Sequence, residues 1–344
     1  MADWPVMAPP GPAFPTPAEL HHLRKKTDKL IEIIQDDWPA NLETQNDATV
    51  YQGAAGAALM FLRLWEADYE LPDQTNALER AEEYIRIAHR LIEEKEKLDP
   101  VSAKTSVSFT LGDAGTFALA AVIYHHLGRR EKAAEYVDRL TGLQNPVVPL
   151  PGASRPGETW EPFYGMAGYL YCIYFVEQHL EREIAPKLTD RLIQACLESG
   201  LARAQIEAEA AGSRPPLMYT WHGEKYLGIA HGIAGVVNAE GHVSPGYRKV
   251  LEDTVDWLIS LRIRDSGNYP AQLDDPDDTL VHWCHGAPGM GMLFCRAYEV
   301  FKHRRYLDAA LAAGDVVWQR GLLKKGLGLC HGIAWVPVPG ALQG

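Results

Sequence analysis

A short glycine-rich phrase that recurs six times is the feature that most constrains how this chain can fold. The phrase reads GAAG from Gly53, GDAG from Gly112, GMAG from Gly165, and then HGIAG, HGAPG and HGIAW around Gly232, Gly286 and Gly332. Five of the six phrases lead into an apolar run of helical length, although the run after Gly232 is short. Recurrence at intervals of 46 to 67 residues indicates a repeat architecture.

The segments between these apolar runs have the 3.6-residue periodicity of amphipathic helices. The clearest of them, residues 76–98, gathers its apolar side chains on one broad face: Leu78, Ala81, Ile85, Ile87, Ala88, Leu91 and Ile92. Residues 246–261 and 304–323 behave similarly, and alternating strand patterns are scarce. The repeating unit is therefore predicted to be a helical hairpin, with an outer amphipathic helix, a glycine-rich turn and an inner apolar helix. Stacked hairpins of this kind form an all-α solenoid or ring.

Composition limits the possible partners and the compartment. Hydrophobic residues make up 47% of the 344 residues, so a packed core is expected. The net charge of −12 argues against a nucleic-acid partner, because phosphate binding requires a basic face. No apolar run is long enough for a transmembrane helix.

Residues 1–16 lack the features of a secretory signal and are predicted to form a flexible Pro-rich arm. Five cysteines, an odd and low number, favour a reduced, cytoplasmic protein.

The tripeptide Cys-His-Gly occurs twice, at Cys284-His285 and at Cys330-His331, each time where an inner helix should begin. Equivalent positions of successive repeats lie at the same end of a ring, so two thiols and two imidazoles should converge there. Thiolate and imidazole are preferred ligands of zinc. Because adjacent side chains diverge, three protein ligands with an open fourth position are more plausible than four. A disulfide between Cys284 and Cys330 is the alternative that a reducing compartment disfavours.

Two further residues are candidates at the same end of the ring. His231 precedes the fourth glycine-rich phrase, where it is either a general acid or base or a structural histidine of the core or cap. His222 and His282 lie off the repeat register and rank lower. Lys324 and Lys325 lie in a glycine-flanked loop before Cys-His-Gly, where they form either a solvated surface or a carboxylate-binding site.

Several phrases together carry a family resemblance that runs from about Tyr51 to Ala334. They are PLMYTW, YLGIAHGIAG, SGNYP, LVHWCHGAPG and GLLKKGLGLCHG, with LGDAG and YGMAG nearer the N-terminus. In these phrases the chain resembles the eukaryotic lanthionine synthetase C-like proteins. In bacterial lantibiotic cyclases the residue after the corresponding cysteine is more often tyrosine. His285, which follows Cys284 here, therefore favours the eukaryotic branch of the family. The resemblance implies an α/α toroid with seven inner and seven outer helices.

The resemblance also implies a chemistry. It implies one zinc ion held by Cys284, Cys330 and His331, with solvent or a substrate thiol as the fourth ligand. Glutathione is expected as co-substrate, with Lys325 near it and His231 as acid or base. The implied enzyme adds the glutathione thiol to dehydroalanine or dehydrobutyrine residues of proteins or peptides, which makes it a glutathione transferase-like, thioether-forming enzyme. Peripheral contact with a membrane is compatible with this interpretation, although no Met-Gly myristoylation start is present.

The sequence departs from the family pattern near its end. Only six glycine-rich phrases are found, and Trp335 stands where the sixth should have its second glycine. We therefore expect residues 17–334 to form an incomplete toroid of about six hairpins with the ring left open, and residues 335–344 to form a divergent Pro-rich tail. An open ring raises the alternative of a glutathione-binding or signalling scaffold without turnover.

A third hypothesis is a glycosidase-like toroid, which requires two carboxylates beside the scissile bond. The dense acidic loop at residues 274–278 is the candidate for that role, and a solvated surface explains it more simply.

Overall fold

The computed structural model describes residues 16–98, 107–143, 159–211, 215–239, 246–275, 277–326, 328 and 330–332. Within these ranges the regular structure is helical: α1 Pro17–Gln45, α2 Ala54–Glu66, α3 Ala77–Leu98, α4 Asp113–His126, α5 Arg130–Gly142, α6 Met166–Leu180, α7 Pro186–Ala211, α8 Ile233–Ala239, α9 Arg248–Ser260, α10 Ala287–Phe301 and α11 Arg304–Arg320. Extended pairing among these residues is limited to two isolated bridges, Trp221 with Glu224 and Tyr226 with Gln272. The all-α prediction is confirmed.

The helices alternate between an inner and an outer layer. The inner helices are α2, α4, α6, α8 and α10. Successive inner helices contact one another from α2 to α10, and each inner helix also packs against the helix that follows it in the chain. Those partners, α3, α5, α7, α9 and α11, form the outer layer. Five hairpins of an inner and an outer helix are thus observed, but in each the inner helix comes first, whereas the sequence analysis placed the outer helix first. The described residues exclude residues 1–15, the tail at 335–344 and any inner helix after residue 332. The predictions for the N-terminal arm, the tail and the open ring therefore fall outside them.

Burial follows this division into layers. Every residue of α4 from Asp113 to Tyr124 is buried, as expected for a helix that is apolar on all sides and surrounded by neighbours. Helix α3 buries one face only, including Leu78, Ile85 and Ile92, while its opposite face is charged. Within the described residues, the helices do not combine the length and the apolarity needed to cross a membrane.

The second glycine of each phrase allows a loop to lie directly on an inner helix. In the first five phrases a Cβ atom at this glycine would overlap the carbonyl oxygen of the residue six positions earlier. The pairs are Gly56 with Val50, Gly115 with Phe109, Gly168 with Pro162, Gly235 with Ile229, and Gly289 with Trp283. Each loop therefore folds back over the first turn of its inner helix. The residues just before that helix are held at one end of the inner layer, which we call the glycine-rich end.

Helix α1 has no counterpart in the sequence analysis. It begins with a capping box, in which the Thr16 backbone N–H donates to Glu19 Oε2 at 2.7 Å and the Glu19 N–H donates to Thr16 Oγ1 at 3.3 Å. Ile31 is buried against the first hairpin, and the Tyr84 hydroxyl of α3 donates to the Ile34 carbonyl at 3.0 Å. The Thr-Pro-Ala-Glu start, with Pro17 at the first helical position, is the signal that could have located this helix.

Alanine at Gly115 should destabilise the fold, because its methyl group would meet the Phe109 carbonyl in a packed interior. We expect a loss of about 1–3 kcal/mol in the free energy of unfolding, measured by urea titration with circular dichroism. Gly314 is the matched control, since it also lies within a helix but has open space around its Cα. Gly314→Ala should stabilise the protein by about 0.5–1 kcal/mol. Equal effects of the two substitutions would contradict the close approach.

Candidate metal centre and the histidine beside it

Three side chains that can bind a metal converge at the glycine-rich end. The sulfur atoms of Cys284 and Cys330 and one ring nitrogen of His331 all lie within 4.8 Å of one another. A tetrahedral zinc ion with Zn–S bonds of about 2.3 Å would hold two sulfurs about 3.8 Å apart, so the separation fits this ion. Both cysteines are free thiols, which is not the disulfide considered above. The chemistry of the donor set, two thiols and one imidazole, also suits zinc.

A hydrogen bond joins the sulfur atoms of Cys284 and Cys330. The Cys284 thiol donates a hydrogen bond to the Cys330 sulfur, which lowers the pKa of Cys330 to about 6 and raises the pKa of Cys284. Hydrogen bonds from His331 and from the Tyr51 hydroxyl lower the Cys330 pKa further, against the opposing effect of burial. Of the two thiols, Cys330 is therefore the more readily deprotonated.

Asn268 holds the loop that carries Cys284. Its side chain is fully buried and makes three hydrogen bonds to that loop. The Nδ2 group donates to the carbonyls of Asp278 at 2.8 Å and Leu280 at 2.9 Å, and Oδ1 accepts from the Ala287 backbone N–H at 2.8 Å. The asparagine thus ties both ends of the loop to each other and to the start of α10.

The Cys284 loop lies directly against the loop that carries His231. The backbone N–H of Ala230 donates to the Cys284 carbonyl at 3.3 Å. A Cβ atom at Gly228 would overlap the same carbonyl, so the two loops can approach this closely only with glycine at that position. The backbone geometry therefore places His231 beside the candidate metal ligands.

His231 is held by a buried carboxylate. Glu161, only 2% exposed, accepts from His231 Nδ1 at 2.9 Å and from the His231 backbone N–H at 3.2 Å. It also accepts from the backbone N–H groups of Phe163, at 3.0 Å, and Tyr164. Four hydrogen bonds satisfy the carboxylate and fix its position. Because Nδ1 is engaged, Nε2 is the nitrogen of His231 that is free for proton transfer.

Aromatic rings cover the His231 imidazole. The Trp221 ring stacks on it with centroids 3.9 Å apart and planes 5° from parallel, and the Tyr164 ring lies nearly parallel at 6.0 Å. Phe163 fills the space between the two loops, with its ring 5.7 Å from His231 and 5.5 Å from Trp283. The rings restrict rotation of the imidazole and limit water access to its faces, so His231 has a defined orientation.

Two more histidines and a lysine border the cluster. His285 has its ring 6.4 Å from that of His231, and its Nδ1 is buried with no hydrogen-bond partner among the described residues. Burial, with a smaller effect from His231, lowers the pKa of His285 to about 4, so this imidazole is neutral. Lys325 donates from Nζ to His282 Nε2 at 3.0 Å, and the His282 ring lies 5.9 Å from that of His331. The lysine thus lies at the rim of the site, one side chain away from His331.

The structure brings some of the candidate residues from the sequence analysis together and leaves others apart. Cys284, Cys330 and His331 come together, with His231 in the adjoining loop and Lys325 at the rim. His222 is exposed, and in the acidic loop Asp274 pairs with Lys225 and Asp278 with Arg320.

Three functional residues were missed by sequence reasoning. Tyr51 contacts Cys330 from the first glycine-rich phrase, Glu161 binds His231 from the third loop, and Asn268 supports the Cys284 loop. Asn268 falls within the SGNYP phrase, which carried part of the family resemblance, so it had a signal. Glu161 had a weaker one: it is an acidic residue in an otherwise apolar stretch, WEPFYG, just before an inner helix.

Comparison with known proteins agrees with this geometry. A family model described as "Lanthionine synthetase C-like protein" matches residues 44–334. The curated protein "Glutathione S-transferase LANCL1" from Danio rerio is 38% identical over 294 residues, which are 84% of this chain and 67% of that protein. Among solved structures, "Nisin cyclase" superposes with a TM-score of 0.63 at 18% sequence identity, covering 91% of this chain and 80% of that one. This structural likeness confirms the predicted α/α toroid.

Removing the Asn268 side chain should destabilise the site and the fold together. Asn268→Ala leaves two carbonyls and one N–H buried without partners, so we expect the free energy of unfolding to fall by at least about 2 kcal/mol. Gln205→Ala, an exposed amide on α7, should change it by no more than about 0.5 kcal/mol. Chemical denaturation of both variants checks this, and similar stability of the two would refute the structural role of Asn268.

Proposed function

The chain belongs to the lanthionine synthetase C-like family, and we propose that it is a zinc-dependent enzyme that adds the thiol of glutathione to dehydroalanine or dehydrobutyrine residues of proteins. The observation that carries this proposal is the cluster of Cys284, Cys330 and His331 beside a histidine that is oriented by a buried glutamate. The name of the Danio rerio relative, a glutathione S-transferase, supports glutathione as the thiol.

Cys284, Cys330 and His331 would hold the zinc ion. Their three donor atoms leave one tetrahedral position open, which is the arrangement of catalytic zinc sites. When bound, zinc supplies the positive charge that keeps a thiol deprotonated at neutral pH. Cys284 lies in a loop that is held rigid, because Asn268 fixes both ends of that loop. Tyr51 adds a hydrogen bond to the Cys330 sulfur, which reduces the negative charge on that ligand.

His231 would deliver the proton that completes the addition. The glutathione sulfur forms a bond to the β-carbon of the dehydroamino acid as the carbon–carbon double bond opens, which leaves an enolate at the α-carbon. His231 then gives the proton on Nε2 to that carbon, and the proton lost from the thiol balances the one added. Glu161 accepts from Nδ1–H, so it stabilises the imidazolium and keeps Nε2 directed away from the carboxylate.

Lys325 would contribute to glutathione binding. Its ammonium group is at the rim of the site, where it can reach a carboxylate of a tripeptide whose sulfur lies at the cluster. Glutathione carries two carboxylates, and a lysine recognises such a group through charge-assisted hydrogen bonds. A cytoplasmic location fits this proposal, since the cytoplasm holds a glutathione pool and the five cysteines, all of them in the described ranges, form no disulfide.

Zinc content is the first test. After dialysis against a weak chelator, which strips metal from any site with fewer protein ligands, the purified protein should retain about one zinc ion per chain by mass spectrometry, because Cys284, Cys330 and His331 form one three-ligand site. Cys330→Ala removes one of three ligands and should reduce the content to a small fraction of an ion. Cys295→Ala is the matched control, since Cys295 is a half-buried cysteine of α10 outside the cluster. Equal zinc in both variants would eliminate the proposed ligand set.

Turnover is the second test, with glutathione and a dehydroalanine peptide as substrates. His231 has a φ of 66°, a conformation that asparagine tolerates, so His231→Asn keeps the backbone and an N–H for Glu161 but lacks Nε2. We expect kcat/KM for thioether formation to fall by about 10² to 10⁴. His222→Asn is the control, because His222 also has a positive φ, 51°, but is exposed.

The same assay separates an enzyme from a scaffold. Glutathione binding by calorimetry without any thioether product, in protein that contains zinc, would favour the scaffold without turnover. Absence of both binding and product would remove glutathione from the proposal.

A further inference from the structure

A second group of histidines lies at the opposite end of the inner layer. Glu66 is the last residue of α2, His125 and His126 end α4, and His179 is the penultimate residue of α6. These helices run for 13 to 15 residues from the glycine-rich end, so the group is about 20 Å from the candidate zinc ligands. The proposed chemistry makes no use of it.

The two central imidazoles face each other through single nitrogen atoms. His126 Nε2 and His179 Nδ1 are 3.2 Å apart. Two nitrogen ligands of a tetrahedral zinc ion, at about 2.05 Å each, are separated by about 3.3 Å, so the pair already has the spacing of a bidentate metal site. Without a metal, the same geometry is a hydrogen bond in which one ring donates its proton to the other.

Glu66 contacts the nitrogen of His179 that does not face His126, so it is an outer partner: a residue that binds a metal ligand and not the metal itself. Its Oε1 lies 3.5 Å from His179 Nε2, on the opposite side of the ring from the nitrogen that faces His126. A carboxylate on the far nitrogen of a metal-binding histidine fixes the tautomer and raises the basicity of the ligating nitrogen. In this arrangement Nε2 carries the proton, and Nδ1 presents its lone pair toward His126.

We propose that His126 and His179 form a second metal site, for a divalent ion that prefers imidazole such as Zn²⁺, Ni²⁺ or Cu²⁺, with Glu66 as the outer partner that orients His179. Imidazole nitrogen suits these ions. Solvent completes the coordination, and the exposed His125, whose ring is 5.3 Å from that of His126, is the nearest additional donor.

The surroundings favour a bound cation. Three helix C-termini meet at this point, and their partial negative charge stabilises positive ions. Trp65 and Phe175 each lie 4.7 Å from one of the two imidazoles, measured between ring centroids, and limit their rotation. Burial is the main reason that the pKa of His126 and of His179 is lowered, so both rings are neutral and able to bind a metal. The positive charge of Arg63 opposes binding, but its guanidinium pairs with Glu66 at 2.5 Å.

Cobalt titration distinguishes the two ends of the molecule. Co²⁺ bound to thiolates gives intense charge-transfer absorption, whereas Co²⁺ bound to imidazole gives only weak bands. The metal-free protein should bind two equivalents of Co²⁺ by calorimetry, of which one produces the thiolate absorption. Cys284→Ser should lose that absorption and retain one equivalent. His179→Ala should retain the thiolate absorption and lose the other equivalent.

The supporting variants test the details of the site. Glu66→Gln should lower the affinity for the second equivalent of Co²⁺ by about 10- to 100-fold, as expected for an outer partner. His21→Ala, an exposed histidine of α1, should leave both equivalents unchanged. Circular dichroism establishes that each variant is folded, and His126→Ala provides an independent removal of the site. Saturation of the parent protein at one equivalent, or a second equivalent that survives in both His126→Ala and His179→Ala, would overturn the proposal without affecting the thiolate site.

Discussion

The structure depends on a close contact between backbone segments that only glycine permits. In five successive repeats the carbonyl of a loop residue rests on the first turn of an inner helix, at the second glycine of the phrase. The contact brings every such loop to the same end of the inner layer, with its preceding residues at equivalent positions. Residues separated by 46 to 67 positions in the chain therefore become neighbours, and the candidate metal ligands lie where these loops meet.

Two of the loops at this end are also stabilised by a buried side chain from another segment. Glu161 binds the backbone N–H and the ring of His231, which lets a histidine keep a positive φ of 66° that a bulky residue would otherwise avoid. Asn268 holds the loop of Cys284 through both ends of its side-chain amide, Nδ2 as donor and Oδ1 as acceptor. His231 and Cys284 are thus held by buried hydrogen bonds and not by the inner helices alone. Such positioning is what a metal centre and a proton donor both require.

The sequence predicted the fold because the repeat is visible in it. Glycine pairs and apolar runs mark each inner helix, and a hairpin repeated five times specifies two layers. The Cys-His-Gly duplication likewise placed two sulfurs at one end, although the choice of His331 as third ligand came from the resemblance. Glu161 could not be identified in this way, because its role depends on a contact 70 positions along the chain. Tyr51 shows the same limit: it touches Cys330 only because the first and sixth phrases face each other.

The two ends of the inner layer differ in a way that their helix dipoles explain. Inner helices begin at the glycine-rich end, where free N–H groups and partial positive charge favour anions, and there Cys284 lies just before the start of α10. They end at the other side, where free carbonyls and partial negative charge favour cations, and there the chain has His125, His126 and His179. Because all inner helices point the same way, their fields add. A parallel inner layer therefore separates a region suited to thiolates from a region suited to cations across a single helix length.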